Sequence, residues 1–130
     1  MKMIAKTTNG VTIRVRKKFL DDHSNPREHK FIHGYHVTIS NERSTPVQLI
    51  SRYWIIKSAS GMVKVVEGEG VIGQQPVIGP NSSYQYNSWC PLPVRFGSMS
   101  GYYTMVDKTT NEEFNVDIPE FNLEFPAMLN

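Results

Sequence analysis

The stretch VQLISRYWIIK (47–57) decides the fold class of this chain. Its first residues alternate apolar and polar side chains, and it ends in YWII, which is apolar on both faces. A period of two is typical of a β-strand, and a run rich in β-branched and aromatic residues is typical of a strand covered on both faces. The stretch therefore predicts a long central strand.

Other strand patterns lie on both sides of this stretch, and most alternate in the same way. Among them, MVKVVEGEG (62–70) follows a short SASG turn and is predicted to form a hairpin with the central strand. The remaining patterns are VTIRV (11–15), YHVTIS (35–40), YQYNSW (84–89), GYYTMVD (101–107), EFNVDI (113–118) and FNLEF (121–125). FLDDHSNPREHK (19–30) has no apolar stripe and contains Pro26, so it is predicted to be a loop with one helical turn at most.

Seven or more short strands without a long helix predict an all-β fold. No repeat or linker divides the chain, so residues 1–130 are predicted to form a single domain. Strands without intervening helices pair antiparallel, and two such sheets bury their apolar faces against each other. An antiparallel β-sandwich is therefore expected. A small barrel remains the alternative, because periodicity does not distinguish the two arrangements.

The composition is that of an ordinary globular protein, with 39% hydrophobic and 20% charged residues. Fourteen Lys and Arg against twelve Asp and Glu give a net charge of +2, which is too small to indicate a nucleic-acid partner. The single cysteine, Cys90, excludes an internal disulfide and fits a reducing compartment. No apolar run has the length of a signal peptide core or a membrane span, so we expect a cytoplasmic protein without a membrane partner.

The glycines of GEGVIG (68–73), which are Gly68, Gly70 and Gly73, match the dinucleotide-binding pattern G-x-G-x-x-G. That loop works because a helix begins after it and holds the pyrophosphate at its N-terminus. Here Pro76 and Pro80 follow and exclude a regular helix. The sequence favours a backbone bend, with weak phosphate binding by the N–H groups of the turn as the alternative.

The sequence predicts no catalytic residue, no metal site and no cofactor. His33 and His36 are three apart in a predicted strand, so they point to opposite faces, and His23 and His29 lie in a polar loop. No nucleophile motif surrounds Cys90, which is interpreted as a small buried hydrophobic residue.

Two side chains are candidates for a protein contact, Arg52 and Trp89. Arg52 shares a face of the long strand with Trp54, which is expected to be a core residue. Trp89 is placed after a strand and before a proline-rich loop, where an exposed contact is expected.

Several motifs occur in a familiar order. They are SRYWII (51–56), GEGVIGQQPVIGP (68–80), GSMSGYYTMVD (97–107) and FNVDIPEFNLEFP (114–126). With FLDDHSNP (19–26) and VTISNERSTPVQL (37–49), they make residues 11–126 resemble the ApaG family of small bacterial proteins. The resemblance implies an immunoglobulin-like or fibronectin type III-like β-sandwich. It also maps the family's glycine motif onto Gly68, Gly70 and Gly73, whereas Trp89 stands where the family usually has a small residue.

The resemblance also implies a function. ApaG-like domains of F-box proteins and of a polymerase-interacting protein are thought to bind other proteins, which favours a non-enzymatic interaction module with an unidentified protein partner. A sheet edge would allow a homodimer as well as a monomer. Two alternatives remain, a phosphate or nucleotide binder that uses the glycine turn, and an accessory factor in the Co²⁺/Mg²⁺ resistance after which bacterial members are labelled.

Overall fold

The structure is a computed structural model that describes residues 3–126, and in that part of the chain it contains nine strands. These are β1 (Met3–Thr8), β2 (Val11–Phe19), β3 (Phe31–Asn41), β4 (Val47–Ser58), β5 (Val63–Glu69), β6 (Val77–Ile78), β7 (Ser82–Leu92), β8 (Phe96–Asp107) and β9 (Glu113–Glu124). Two short 3₁₀ helices, Asp21–His23 and Pro26–Glu28, lie between β2 and β3. The segment is thus a loop without a long helix, as predicted, but it contains two helical turns instead of one.

The strands form two antiparallel sheets that share one core, so the chain is a β-sandwich rather than a closed barrel. The first sheet has the order β1-β2-β3-β7, and the second has the order β5-β4-β8-β9, with β6 beside the start of β4. β4 has neighbours on both sides and pairs with β5, which confirms the central strand and its hairpin. Within residues 3–126, no helix is long and apolar enough to cross a membrane.

The core is built from the inward positions of both sheets, as the period of two predicts. Each fully buried aliphatic or aromatic side chain contributes about 1.5–3 kcal/mol relative to its exposed state. The largest fully buried side chains are Tyr103, Phe31, Phe121, Ile13, Ile39, Leu49, Leu92, Met99, Met105, Leu123, Val11 and Val15.

A β-bulge explains why the long stretch changes its pattern halfway along. The pairing of β4 with β8 shifts between Leu49 and Ser51. Leu49 faces the core before the shift, and Trp54 and Ile56 face it afterwards. Because a bulge adds one residue to a strand, it moves the even-numbered positions to the face that the odd ones occupied before.

Strand β1 was not among the sequence patterns predicted to be strands. It pairs with β2 across the two-residue turn Asn9–Gly10, in which both residues have positive φ (52° and 78°). Asn-Gly is the preferred pair for such a hairpin turn. The dipeptide was therefore the signal for β1.

The predicted strands EFNVDI and FNLEF are in fact one strand, β9, which continues through Pro119. The pairing with β8 shifts between Met99 and Gly101, which lie opposite Phe121 and Ile118. Pro119 thus falls in an irregular part of the ladder, where a residue without an N–H is tolerated.

Candidate functional site

The edge strands of the two sheets are in contact on one side of the sandwich and apart on the other. On one side, which we call the closed side, β1 and β2 pack against β9. On the other side, the edge strands β5 and β7 are separated by an open groove of about 830 Å³. We call it the β5–β7 groove, and its volume lies in the range of ligand-binding clefts. It is lined by side chains of both sheets, including Tyr35, Trp54, Lys64, Val66, Tyr86 and Trp89.

The floor of the groove is aromatic and electrically neutral. The ring of Tyr35 lies 5.4 Å from that of Trp54, and the hydroxyl of Tyr86 shares a 2.5 Å hydrogen bond with the hydroxyl of Tyr103. Burial raises the pKa of Tyr86 and of Tyr103 well above the usual value. The floor therefore offers apolar aromatic surface without negative charge.

Arg52 supplies a positive charge to this groove. Its Nη1 donates hydrogen bonds to the carbonyl oxygens of Glu69 (3.0 Å) and Gly70 (2.9 Å). The guanidinium lies against Gly68, where an added Cβ would stand 3.2 Å from both Nη atoms. Gly68 thus leaves the space in which the Arg52 guanidinium lies flat against β5.

Trp89 lies within a strand rather than after one. β7 extends to Leu92, so the proline-rich loop predicted at PLP begins inside the strand. Trp89 is 67% exposed and lines the rim of the groove. Arg52 and Trp89, selected separately from the sequence, are thus lining residues of one groove.

The glycine stretch GEGVIG is a turn, and no helix follows it, since the next element is β6. Ile72 and Gly73 both have positive φ (48° and 71°) between Val71 and Gln74, which form a β-bridge. The amides of Val71 and Gln74 donate to each other's carbonyl oxygens, and the amide of Gly70 donates to Ile50 O.

Gly70 is required in this turn for a steric reason. Its φ is +63°, and an added Cβ would stand 2.2 Å from the carbonyl oxygen of Gln74. The predicted backbone bend is thus present. Phosphate binding by the turn stays a prediction, and three of the turn's amides already have internal partners.

The model of the ApaG domain family matches residues 21–107. The chain is a member of the ApaG family. It is 44% identical over 125 residues to Protein ApaG of Mesorhizobium japonicum, covering 96% of this chain and 95% of that protein. Protein ApaG of Brucella suis biovar 1 is 44% identical over 124 residues, covering 95% of both chains. The crystal structure of an ApaA protein from Bordetella pertussis superposes with a TM-score of 0.85 at 39% identity, covering 89% of this chain and 94% of that one.

Cys90 and His33 are buried neighbours in this ApaG domain, paired across β3 and β7. Burial raises the pKa of the Cys90 thiol to about 11, and burial together with the charge of Lys17 lowers the pKa of His33 to about 4. Both groups are therefore neutral at pH 7. Cys90 behaves as the small buried residue that the sequence predicted.

The four histidines are spread over different environments. His33 is buried, whereas His36 lies on the opposite face of β3 and hydrogen-bonds Asn87 and Gln85. Across residues 3–126, no three His, Cys, Asp or Glu side chains are grouped closely enough to bind a metal ion. A role in metal resistance stays a prediction.

Lys64 and Val66 also line the groove, although neither was predicted from the sequence as a site residue. Both point inward from β5, beside Ile56 and Trp54, because Lys64 pairs with Ile56 and Val66 pairs with Trp54. The alternation within MVKVVEGEG would have placed them on one face. It could not show that this face borders a groove, because that depends on which strand ends the first sheet.

Proposed function

We propose that this ApaG domain is a non-enzymatic module that binds an extended segment of a partner protein in the β5–β7 groove. One observation carries the proposal. The groove is apolar, and it lies between two strands that each pair with a single neighbour. Unpaired edges present N–H and C=O groups to which an added strand can bond, while pockets beside the edge select side chains.

Trp89 is the expected anchor of such a segment. An exposed indole beside an apolar groove is the kind of side chain that dominates the binding energy of protein interfaces. Met62 and Ile72, which are also exposed, line the same groove and extend its apolar surface.

The chemistry of the groove supports binding rather than catalysis. Its thiol, Cys90, is protonated at neutral pH, and the pKa of Tyr86 is raised, so neither is an activated nucleophile. We assign the sandwich to the immunoglobulin-like and fibronectin type III-like kind, in which binding modules are common. A cytoplasmic location fits the single reduced cysteine.

Photo-crosslinking tests this function and locates the contact. p-Benzoylphenylalanine replaces Trp89 or Ile72 in the groove, and replaces Phe96 or Met3, which are exposed elsewhere, as matched controls. After irradiation in cells, mass spectrometry identifies the crosslinked peptides. We expect both groove positions to capture the same segment of the same protein, with far lower yield at the controls. Equal yields at all four positions, or different proteins at the two groove positions, would reject the proposal.

A further inference from the structure

We propose that the segment bound in the groove adds as a strand to β5 and carries the pattern acid-x-apolar-x-acid. This inference rests on the proposed function and specifies the chemistry of the partner. It follows from three alternate positions of β5, from the placement of Arg52, and from the charges that the groove leaves without a partner.

The inward face of β5 has three alternate positions, Lys64, Val66 and Gly68. Lys64 and Val66 line the groove, and Gly68 lies against the guanidinium of the groove residue Arg52. Alternate residues of a strand point to the same face, about 6.6 Å apart, so Lys64 and Gly68 are separated by about 13 Å. An added strand has the same repeat. Its inward side chains would lie opposite these three positions in turn.

The two ends of this face are positively charged. Lys64 stands at one end, and at the other the Arg52 guanidinium occupies the space beside Gly68. Arg52 is held there through Nη1, and within residues 3–126 its Nη2 and Nε donate no hydrogen bond. A carboxylate opposite Gly68 can accept from those free donors, and a second carboxylate can pair with Lys64.

No carboxylate in the described part of the chain, residues 3–126, forms an ion pair with Arg52 or Lys64. The ion pairs found among residues 3–126 are Lys6–Asp117, Lys17–Glu124 and Arg43–Asp107. Among the ionisable groove residues, the cations Lys30, Arg52 and Lys64 outnumber the single carboxylate, Glu28. The middle position, Val66, instead requires an apolar partner. The result is a charge pattern complementary to acid-x-apolar-x-acid.

The edge of β5 is better suited to strand addition than the edge of β7. β7 contains Pro91, which has no N–H to donate and is a common way of blocking an edge. β5 contains no proline. Pro91 thus interrupts the part of β7 that lines the groove, residues 86–92, whereas β5 has no such interruption along its length.

The partner is another protein rather than a second copy of this chain. The acidic residues of this chain that are four positions apart are Glu113 with Asp117 and Glu120 with Glu124. Asn115 and Asn122 stand between them, so the apolar middle residue is missing in both cases.

Three synthetic peptides of matched length test the pattern on the intact protein. TETVTET carries it and reads the same in both directions, TTEVETT has the same composition with the acids moved by one position, and TQTVTQT lacks the charges. Binding is measured by NMR titration. We expect TETVTET to bind at least about tenfold more tightly than either control, since only its two carboxylates can both make charge-assisted hydrogen bonds to Lys64 and Arg52. Equal affinity for TETVTET and TTEVETT, or no binding of TETVTET, would overturn the inference.

Variants of Lys64 test the charge pattern without removing the hydrogen bonds that Arg52 donates to Glu69 O and Gly70 O. Lys64→Gln is expected to weaken TETVTET binding roughly threefold to fivefold, as for a cross-strand charge pair. Lys57→Gln, exposed on the other face of the same sheet, should leave it unchanged. Lys64→Glu should prefer TKTVTET or TETVTKT over TETVTET, and no change of preference would contradict the inference. If crosslinking succeeds at Trp89 and Ile72 while the peptides fail to discriminate, the binding function stands and the acidic pattern is wrong.

Discussion

The closed side and the β5–β7 groove differ in how the charged and polar groups at the sheet edges are paired. On the closed side, polar groups bridge the sheets: Lys6 pairs with Asp117 at 3.1 Å, and the Asn9 side-chain amide donates to Asn115 O at 2.9 Å. Lys17 adds a bond to Asn122 O. In the groove, neither Arg52 nor Lys64 forms an ion pair within residues 3–126, and the carbonyl oxygens that Arg52 binds belong to its own sheet. The closed side thus satisfies its own charges, whereas the groove leaves charges and apolar surface for another molecule.

The end of the closed side also contains a buried carboxylate. Asp107 accepts hydrogen bonds from the Thr45 hydroxyl (2.6 Å) and from Arg43 Nη2 (3.0 Å). The Thr45 bond is the main reason that the pKa of Asp107 is well below its usual range. Arg43 also donates to Asn9 O, so this network ties the β1–β2 turn to the end of β8.

The largest expected contrast comes from truncating one buried aromatic residue of β9 and one exposed aromatic residue at the rim of the groove. Phe121 of β9 is buried against Tyr35 and Trp54. Phe121→Ala should lower the free energy of unfolding by about 3–5 kcal/mol, because it removes core contacts and leaves a cavity. Trp89→Ala should change it by no more than about 0.5 kcal/mol, because the indole is mostly exposed. Urea unfolding measures the free energy of unfolding of both variants. Similar losses of stability in the two would show that Trp89 contributes to the stability of the fold.

A titration with acid should separate the two regions by pH. His33, on β3 next to the groove strand β7, is buried, and its Nε2 has no hydrogen-bond partner among residues 3–126. Burial, and to a lesser degree the charge of Lys17, lowers the pKa of His33 to about 4. The unfolded chain binds this proton near pH 6.5 and the folded chain does not, so stability falls by about 3 kcal/mol as the pH drops from 6.5 to 4. The contribution of Asp107, whose folded pKa is depressed, persists through that window and is lost only as the pH falls below about 4.

The variant His33→Phe isolates the contribution of this histidine. It retains an aromatic ring against Phe19 and has no titrating group. Between pH 4 and 7, the slope of the free energy of unfolding against pH should be smaller in the variant. The difference in slope should correspond to about one bound proton. An unchanged slope would mean that the acid sensitivity arises elsewhere in the chain.

The smallest expected effect concerns the ion pair of Lys6 and Asp117. Both side chains are about half exposed, so Lys6→Gln should cost about 0.5 kcal/mol or less. The loss should shrink further in high salt, because salt screens exposed charges. A loss above about 1 kcal/mol that persists in high salt would show that this pair does more to close the sandwich than its exposure implies. Urea unfolding of the wild-type protein and of Lys6→Gln at low and high salt measures this loss of stability.

Much of the fold could be predicted because its signals are local. The alternation in VQLISRYWIIK and the turn after it gave β4 and β5, and Pro76 and Pro80 excluded a helix after Gly73. Strand β1 was missed although its Asn-Gly turn is equally local. The groove could not be predicted, since it depends on which strands end each sheet. Arg52 was selected as an interface residue, but its contact with Gly68 and Gly70 arises only once β4 and β5 are paired.

The two tryptophans of this chain give it a built-in optical readout of both regions. Trp54 is 3% exposed and Trp89 is 67% exposed, so one indole emits from an apolar environment and the other from water. A soluble quencher would reach the outer indole first, while the inner one would respond only when the sheets separate. Occupancy of the cleft and collapse of the interior would therefore appear as distinct changes in the intrinsic emission of the unlabelled protein.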